Sequence, residues 1–352
     1  MNRVLGVLAV VAIIYFGLMS SDPQARTPEN HQNLERRIGE WGILTLGVGF
    51  VILTGGIDLS IGSVVCLSAV SFGLILENNG PPWLAFGAVL FMGAIIGLAH
   101  GLLITRLNLQ PFIVTLCGLF IYRGLSQLLT QVRFDVLFDG MKNGWSDSTR
   151  LLRDSSRNIG LTSPENLSWL TTLQKGNLPL GEWTGVAWFD IPNPLVLFLL
   201  LGFISFVALE CGAFGRRIHA LGFNEQAARY AGIDTAAHKI TCYVICSTLA
   251  ALGGVLFLVK VPSAAPASAG NWYELYAITG AVLGGFSLRG GEGSILGLAL
   301  GTAILPLLRS LVIFAGIPSD LEFMVIGVAL LLGTMADELL RRGSLARPSQ
   351  AG

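Results

Sequence analysis

Asp58 is the first residue in this sequence whose position asks for a chemical explanation. It lies in Thr54-Gly55-Gly56-Ile57-Asp58-Leu59-Ser60-Ile61-Gly62-Ser63, between two long apolar runs. A carboxylate at the centre of a membrane helix costs about 2.5 to 3.5 kcal/mol on insertion scales, so such a group tends to be paired or functional. Two roles fit. Asp58 or Ser60 could cap the following helix, where free N–H groups and the helix dipole favour an anion. Alternatively, Asp58 could contact a polar solute on its way across.

A second polar constellation runs from Gly215-Arg216-Arg217 to Gly232-Ile233. Asn224 has the side chain of an N-cap, Glu225 suits a helix start, and Gly232 suits a C-terminal stop. The expected short helix, about 224–232, gathers Phe223, Ala227, Ala228 and Ala231 on one face, with Arg229 projecting among them. Such a helix has little of its own chain to bury it and suggests docking into another protein. The other reading is a helix lying in the membrane interface, although alanines insert weakly.

The missing motifs narrow the chemistry. There is no G-x-x-x-x-G-K-[ST] loop to cradle nucleotide phosphates, no H-E-x-x-H and no G-x-S-x-G. His31, His100, His219 and His238 are scattered, so no metal or other cofactor is assigned. Cys66, Cys117, Cys211, Cys242 and Cys246 form no C-x-x-C pair and read as small packing residues. Few carboxylates lie deep in apolar runs, which argues against a proton relay. Nothing here is an enzyme's constellation, so any uphill work must be driven by a partner.

The elements that hold these residues belong to a membrane. The 352 residues are 53% hydrophobic and only 12% charged, with a mean hydropathy of +0.67. Soluble domains carry about 25% charged residues. A span needs roughly 20 apolar residues to cross the hydrocarbon. Ten candidate spans are expected near 4–20, 38–56, 59–77, 82–105, 111–130, 193–210, 238–259, 274–286, 294–314 and 320–337. The eighth is short and glycine-rich, so it is a half-span or a broken one. The fold class is therefore all-α, a polytopic membrane protein filling 1–352 as one permease domain. The 44 glycines fit close helix packing, and a net charge of zero gives no reason to expect nucleic acid. The first run, to Met19, reads as an uncleaved helix or as a signal peptide.

Arg3, Arg106, Arg216, Arg217, Arg229, Lys239, Arg289, Arg341, Arg342 and Arg347 fall on one side, so both termini and the 211–237 loop are expected to be cytoplasmic. The polar segment 131–192 is expected to form a small cap on the outer face. An internal echo pairs Gly55-Gly56 and Gly62-Ser63 with Gly284-Gly285 and Gly293-Ser294, the spacing differing by two residues. Glycine-interrupted segments in corresponding halves point to a translocation path, although double glycines also recur by chance in so glycine-rich a chain.

Several motifs in order resemble one family, the membrane permeases of ribose-type sugar ABC importers. Thr54 to Ser63 is similar to its signature at the second and third helices. Pro111-Phe-Ile-Val-Thr-Leu116 and Ile121-Tyr-Arg-Gly-Leu125 resemble the next, and Gly215 to Ile233 resembles its coupling loop. Pro262 to Pro266, Tyr273-Glu-Leu275 and Leu283 to Ser294 resemble its C-terminal pattern. The resemblance implies a type II importer permease with about ten helices. It also implies two permease chains, identical or paralogous, cytoplasmic ABC ATPase subunits and a periplasmic sugar-binding protein. Phe223, Asn224, Glu225, Ala228, Arg229 and Gly232 would couple to the ATPase. Gly55, Gly56, Gly284 and Gly285 would pivot, and Asp58, Ser60, Phe112 and Thr115 would line or gate the path. The segment 131–192 is longer than the resemblance leads one to expect. Permeases for branched-chain amino acids or nucleosides, and an ion-coupled secondary transporter, are the alternatives.

Overall fold

The computed structural model describes residues 2–132, 155–161, 167–180, 189–318 and isolated positions between 321 and 335. It is mostly helical, and the chain divides into two compact units. One comprises residues 1–55, 178–233 and 276–352, the other 56–177 and 234–275. The chain passes between them after Gly55, Asn177, Ile233 and Leu275.

In the first unit, α1 (Asn2–Ser21) packs against α12 (Ile295–Phe314), and α2 (Pro28–Leu53) packs against α12 and α7 (Asn193–Phe206). The start of α2 is set by Thr27, whose Oγ1 accepts from the Asn30 N–H at 3.3 Å, and by Pro28 at the first helical position. Helix α2 therefore begins ten residues before the expected span. Its first turns carry Glu29, Glu35, Arg36 and Arg37, and its buried apolar stretch runs from Gly42 to Leu53. Close approach to α7 requires glycine there: a Cβ on Gly42 would sit 2.5 Å from the Phe198 ring. Helix α7 ends in a π-turn, Val207–Cys211, followed by α8 (Ala213–Phe223) and α9 (Glu225–Tyr230). The expected loop 211–237 is thus largely helical. Leu18, Ala25, Leu34 and Leu307 form one of this unit's buried clusters.

The second unit is built on α10 (Thr235–Lys260), which packs against α3 (Ile61–Glu77) and α4 (Pro82–Arg106); α5 (Pro111–Gln131) lies on α3. Gly93, Gly97 and Gly101 form a stripe on α4 facing the α10 backbone at Ser247, Tyr243 and Ile240. This small-residue spacing lets two membrane helices approach closely. From the expected outer segment, β1 (Ile159–Gly160) pairs antiparallel with β2 (Ser263–Ala264), Ile159 opposite Ala264. The amphipathic α6 (Ser168–Lys175) packs on α10 and buries Leu170. Arg157 Nη1 donates to Glu77 at 3.0 Å. Helix α11 (Tyr273–Leu283) starts in this unit and ends in the first.

Among the described residues, six helices are long and apolar enough to cross a membrane: α1, α4, α5, α7 with its π-turn, α10 and α12. Nine of the ten expected spans coincide with described helices, but α3 has 17 residues and α11 has 11, and the described residues hold six helices of spanning length, not ten. The span expected at 320–337 falls almost wholly outside the described residues. Large apolar side chains face outward along α1, α4, α5 and α7, among them Phe16, Phe91, Phe120 and Phe203. Exposed apolar faces of this extent belong in lipid.

Candidate functional site

The segment 223–232 forms as its residues dictate. Asn224 accepts from the Ala227 N–H through Oδ1 at 3.0 Å, so it caps α9 as expected. Gly232 has φ +80° and follows the helix end. Glu225 and Arg229 lie one turn apart, 3.4 Å between Oε1 and Nη2. Phe223 and Tyr230 project outward, 67% and 90% exposed. Ala228 is corrected: it is 3% exposed and buried against its own chain, so it seats α9 rather than offering a contact face.

Helix α8, in a stretch whose sequence suggests a loop, ties this segment to the glycine-rich turns. His219 Nδ1 lies 2.8 Å from the Gly291 carbonyl oxygen. The Gly291 N–H donates to the Leu53 carbonyl, the last residue of α2, at 3.0 Å. Gly222 fills the gap between them, and any Cβ there would collide with Leu53 O and Gly291 N. A Cβ on Gly290 would fall 2.8 Å from the Gly55 nitrogen. The end of α2, the end of α8 and the turn 287–292 therefore meet through backbone atoms. Only glycines permit that approach.

The double glycines differ in role. Helix α2 ends at Leu53 and Gly55 takes φ +77°; α11 ends at Leu283 and Gly285 takes φ +91°. Each left-handed glycine stands two residues past its helix, so the structural echo is offset by one from the expected pairing of Gly55-Gly56 with Gly284-Gly285. The next helices begin after Ser60 and Ser294, five and nine residues beyond those glycines. Measured from left-handed glycine to N-cap, the loops differ by four residues, while the Gly-Gly to Gly-Ser spacing in the sequence differs by two. Gly284 is packed against the Gly297 carbonyl and the Leu298 Cα, a close-packing position. Gly55 and Gly56 flank a passage of the chain from one unit to the other.

In the second unit, Asp58 and Ser60 are fully buried. Asp58 Oδ1 accepts from both the Ser60 N–H, at 2.8 Å, and the Ser60 hydroxyl, at 2.7 Å. The aspartate thus closes a local turn and engages the N-cap residue instead of capping α3, and Ser60 makes no side-chain cap. Thr115 is buried on α5 and donates to the Pro111 carbonyl at 2.9 Å, with the Ile57 carbonyl at 3.2 Å. Asp58, Ser60 and Thr115 are brought together; Phe112, one turn before Thr115 with its carbonyl 3.4 Å from the Thr115 hydroxyl, leaves its side chain half exposed. The sequence reading missed His100, buried on α4 with Nε2 2.9 Å from the Tyr122 hydroxyl, and Tyr243 on α10, whose ring meets the His100 ring edge-on at 6.3 Å. It also missed Glu210, in the π-turn, which accepts from the Ile295 N–H at 3.2 Å.

His31 and His238 each hydrogen-bond a backbone carbonyl one turn earlier. Cys66, Cys242 and Cys246 are buried packing residues as expected, whereas Cys117 and Cys211 face outward.

A multi-pass helical chain whose sequence has no nucleotide loop, and whose short segment 223–230 exposes Phe223 and Tyr230 at its ends, has the outline of a membrane permease subunit. Residues 33–334 match the family described as branched-chain amino acid transport system / permease component, and the chain belongs to that family. It is 31% identical over 337 residues to the ribose import permease protein RbsC of Escherichia coli (strain K12), covering 96% of this chain and 92% of that one. It is 32% identical over 317 residues to RbsC of Bacillus subtilis (strain 168), covering 90% and 87%. It is 29% identical over 368 residues to the xylose transport system permease protein XylH of Escherichia coli (strain K12), covering 96% and 92%. These relatives are permeases, not enzymes. No solved structure matches the chain.

Proposed function

We propose that this protein is the membrane permease subunit of an ABC importer that carries a monosaccharide, a ribose-like pentose or a hexose, across the inner membrane by alternating access. The observation that carries the reading is the junction of Leu53, Gly222 and Gly291, through which the exposed α8–α9 segment contacts both glycine turns. Motion imposed on α9 by a partner has a direct backbone route to the ends of α2 and α11. The sugar assignment is supported by the full-length likeness to permeases named for ribose and xylose; the family's description also names branched-chain amino acids.

In this reading, cytoplasmic ABC ATPases grip the surface of Phe223, Asn224, Glu225 and Arg229, and both termini lie on that side. A periplasmic binding protein delivers the sugar to the outer face, where the segment 131–192 lies, and a second permease chain completes the path. Gly55, Gly56 and Gly285 bend, while Gly284 holds α11 close to α12. Asp58, Ser60 and Thr115 shape the turn before α3, leaving Phe112 as the candidate for lining the path. A nucleotide drives such a cycle only by binding one state better than the other.

Purification of the tagged chain in mild detergent from its native membrane, followed by mass spectrometry, tests the assignment. A co-purifying P-loop ATPase and a periplasmic binding protein are expected. The chain recovered alone, under conditions that keep a known ABC complex intact, would overturn the importer reading and direct attention to ion-gradient uptake.

A further inference from the structure

The two helices that follow the double-glycine turns share a feature that neither repeat nor family motif accounts for. Each has a glutamate from a distant segment at its N-terminus. Helix α12 starts with Ser294, whose Oγ accepts from the Gly297 N–H at 3.1 Å, and Glu210 takes the Ile295 N–H at 3.2 Å. Two of the four free donors of that helix start are thereby satisfied. Helix α3 has no side-chain cap at Ser60, whose hydroxyl and N–H both donate to Asp58. Glu274, buried in the first turn of α11, instead places its carboxylate beside Gly62 in the first turn of α3. Gly62 is also the residue whose Cβ would displace that carboxylate. An anion at a helix start gains from both the free N–H groups and the dipole.

The positions of the two glutamates suggest more than stability. Glu210 lies in the π-turn just before α8, the helix that carries His219 and Gly222. π-turns cluster at functional sites. Glu274 lies at the start of α11, the helix that ends at Gly284-Gly285. Each carboxylate therefore joins an element that a partner's motion would displace, or that precedes a pivot, to the start of a helix that follows a pivot. We propose that Glu210 and Glu274 are a matched pair of positioning residues, latches on α12 and α3 that release when the permease changes state. The proposal rests on the importer reading for what drives the release, but not for the latches themselves.

The test is hydrogen exchange on the full-length chain in lipid nanodiscs with its co-purified ATPase, with and without ATP plus orthovanadate. The proteins are wild type, Glu210→Gln, Glu274→Gln and the conservative Glu210→Asp and Glu274→Asp. Without nucleotide, Glu210→Gln is expected to speed exchange at 295–298 about two- to fivefold and leave 61–64 unchanged; Glu274→Gln does the reverse. The aspartate variants recover part of the protection. ATP with orthovanadate is expected to speed exchange at both helix starts in wild type and to add little in the matching glutamine variant. Unchanged local exchange in the glutamine variants overturns the latch contacts. If nucleotide alters α8–α9 but leaves both helix starts protected, the contacts are static and the latch proposal is wrong. If no ATPase accompanies the chain, the importer reading fails, and the glutamine variants still decide whether the contacts exist.

Discussion

The imidazole of His219 is joined to the carbonyl of Gly291, 2.8 Å from Nδ1 to O, across 72 residues of chain. The bond ties α8 to the turn that precedes α12, and it sits beside the backbone bond from Gly291 to Leu53. A histidine in this role is a strut, and its removal has a different signature from the loss of a solute contact.

His219→Ala is expected to leave membrane insertion intact and cost about 1 kcal/mol of stability, the typical net value of one hydrogen bond. Sugar moved per ATP hydrolysed should fall several-fold. The check is parallel measurement of uptake and phosphate release in one proteoliposome preparation. A proportional loss of both would mean that His219 supports folding alone.

Gly222→Ala is expected to be more severe, because the added methyl collides with backbone at Leu53 and Gly291, which cannot swing aside as a side chain can. Overpacking of this kind costs about 1 to 3 kcal/mol. A lowered thermal midpoint in detergent, with faster proteolysis near 53–56 and 287–292, is the outcome to look for. An unaffected midpoint would show that the junction is looser than drawn.

Asp58→Asn and Asp58→Ala should separate clearly. The amide oxygen of asparagine can still accept from the Ser60 N–H, so a modest effect is expected. Alanine leaves a buried donor without its partner, a loss of about 1 to 3 kcal/mol. Thermal stability measured beside uptake distinguishes the roles: if Asp58 gripped the sugar, asparagine would abolish uptake while preserving stability.

Charge reversal on α9, Arg229→Glu with Glu225→Lys, keeps an oppositely charged pair one turn apart but inverts the face offered to a partner. A surface pair of this kind contributes at most about 0.5 kcal/mol to folding, so the variant should insert normally and lose both ATPase binding and transport. Full transport by the double variant would count heavily against α9 as the docking element.

Much of this was legible in the sequence where one residue decides a local outcome. Pro82 and Pro111 mark the starts of α4 and α5, because proline loses nothing at a first helical position. Asn224 and Gly232 bounded α9 for equally local reasons. Helix α2 was cut short because its first turns carry charges, which hide a helix from hydropathy but not from its Thr27 cap. Helix α8 was read as loop because Phe214, Ile218 and Leu221 are interleaved with Arg216, Arg217 and His219; its buried face became visible only once folded. Asp58 was weighed as a cap or a contact. The turn it makes with Ser60 competes with capping, and spacing alone does not tell which donor wins. His219 with Gly291, Glu210 with Ile295 and Glu274 with Gly62 join residues far apart in the chain, and no local pattern specifies them.

The measurement that bears most directly on the function is reconstitution. The chain is placed in proteoliposomes with its ATPase and its binding protein, the latter charged with radiolabelled ribose or xylose. The expected result is sugar accumulation that requires internal or external ATP on the ATPase side, requires the binding protein, and persists when ion gradients are collapsed. Accumulation that survives without ATP and is abolished by an uncoupler would contradict the importer reading.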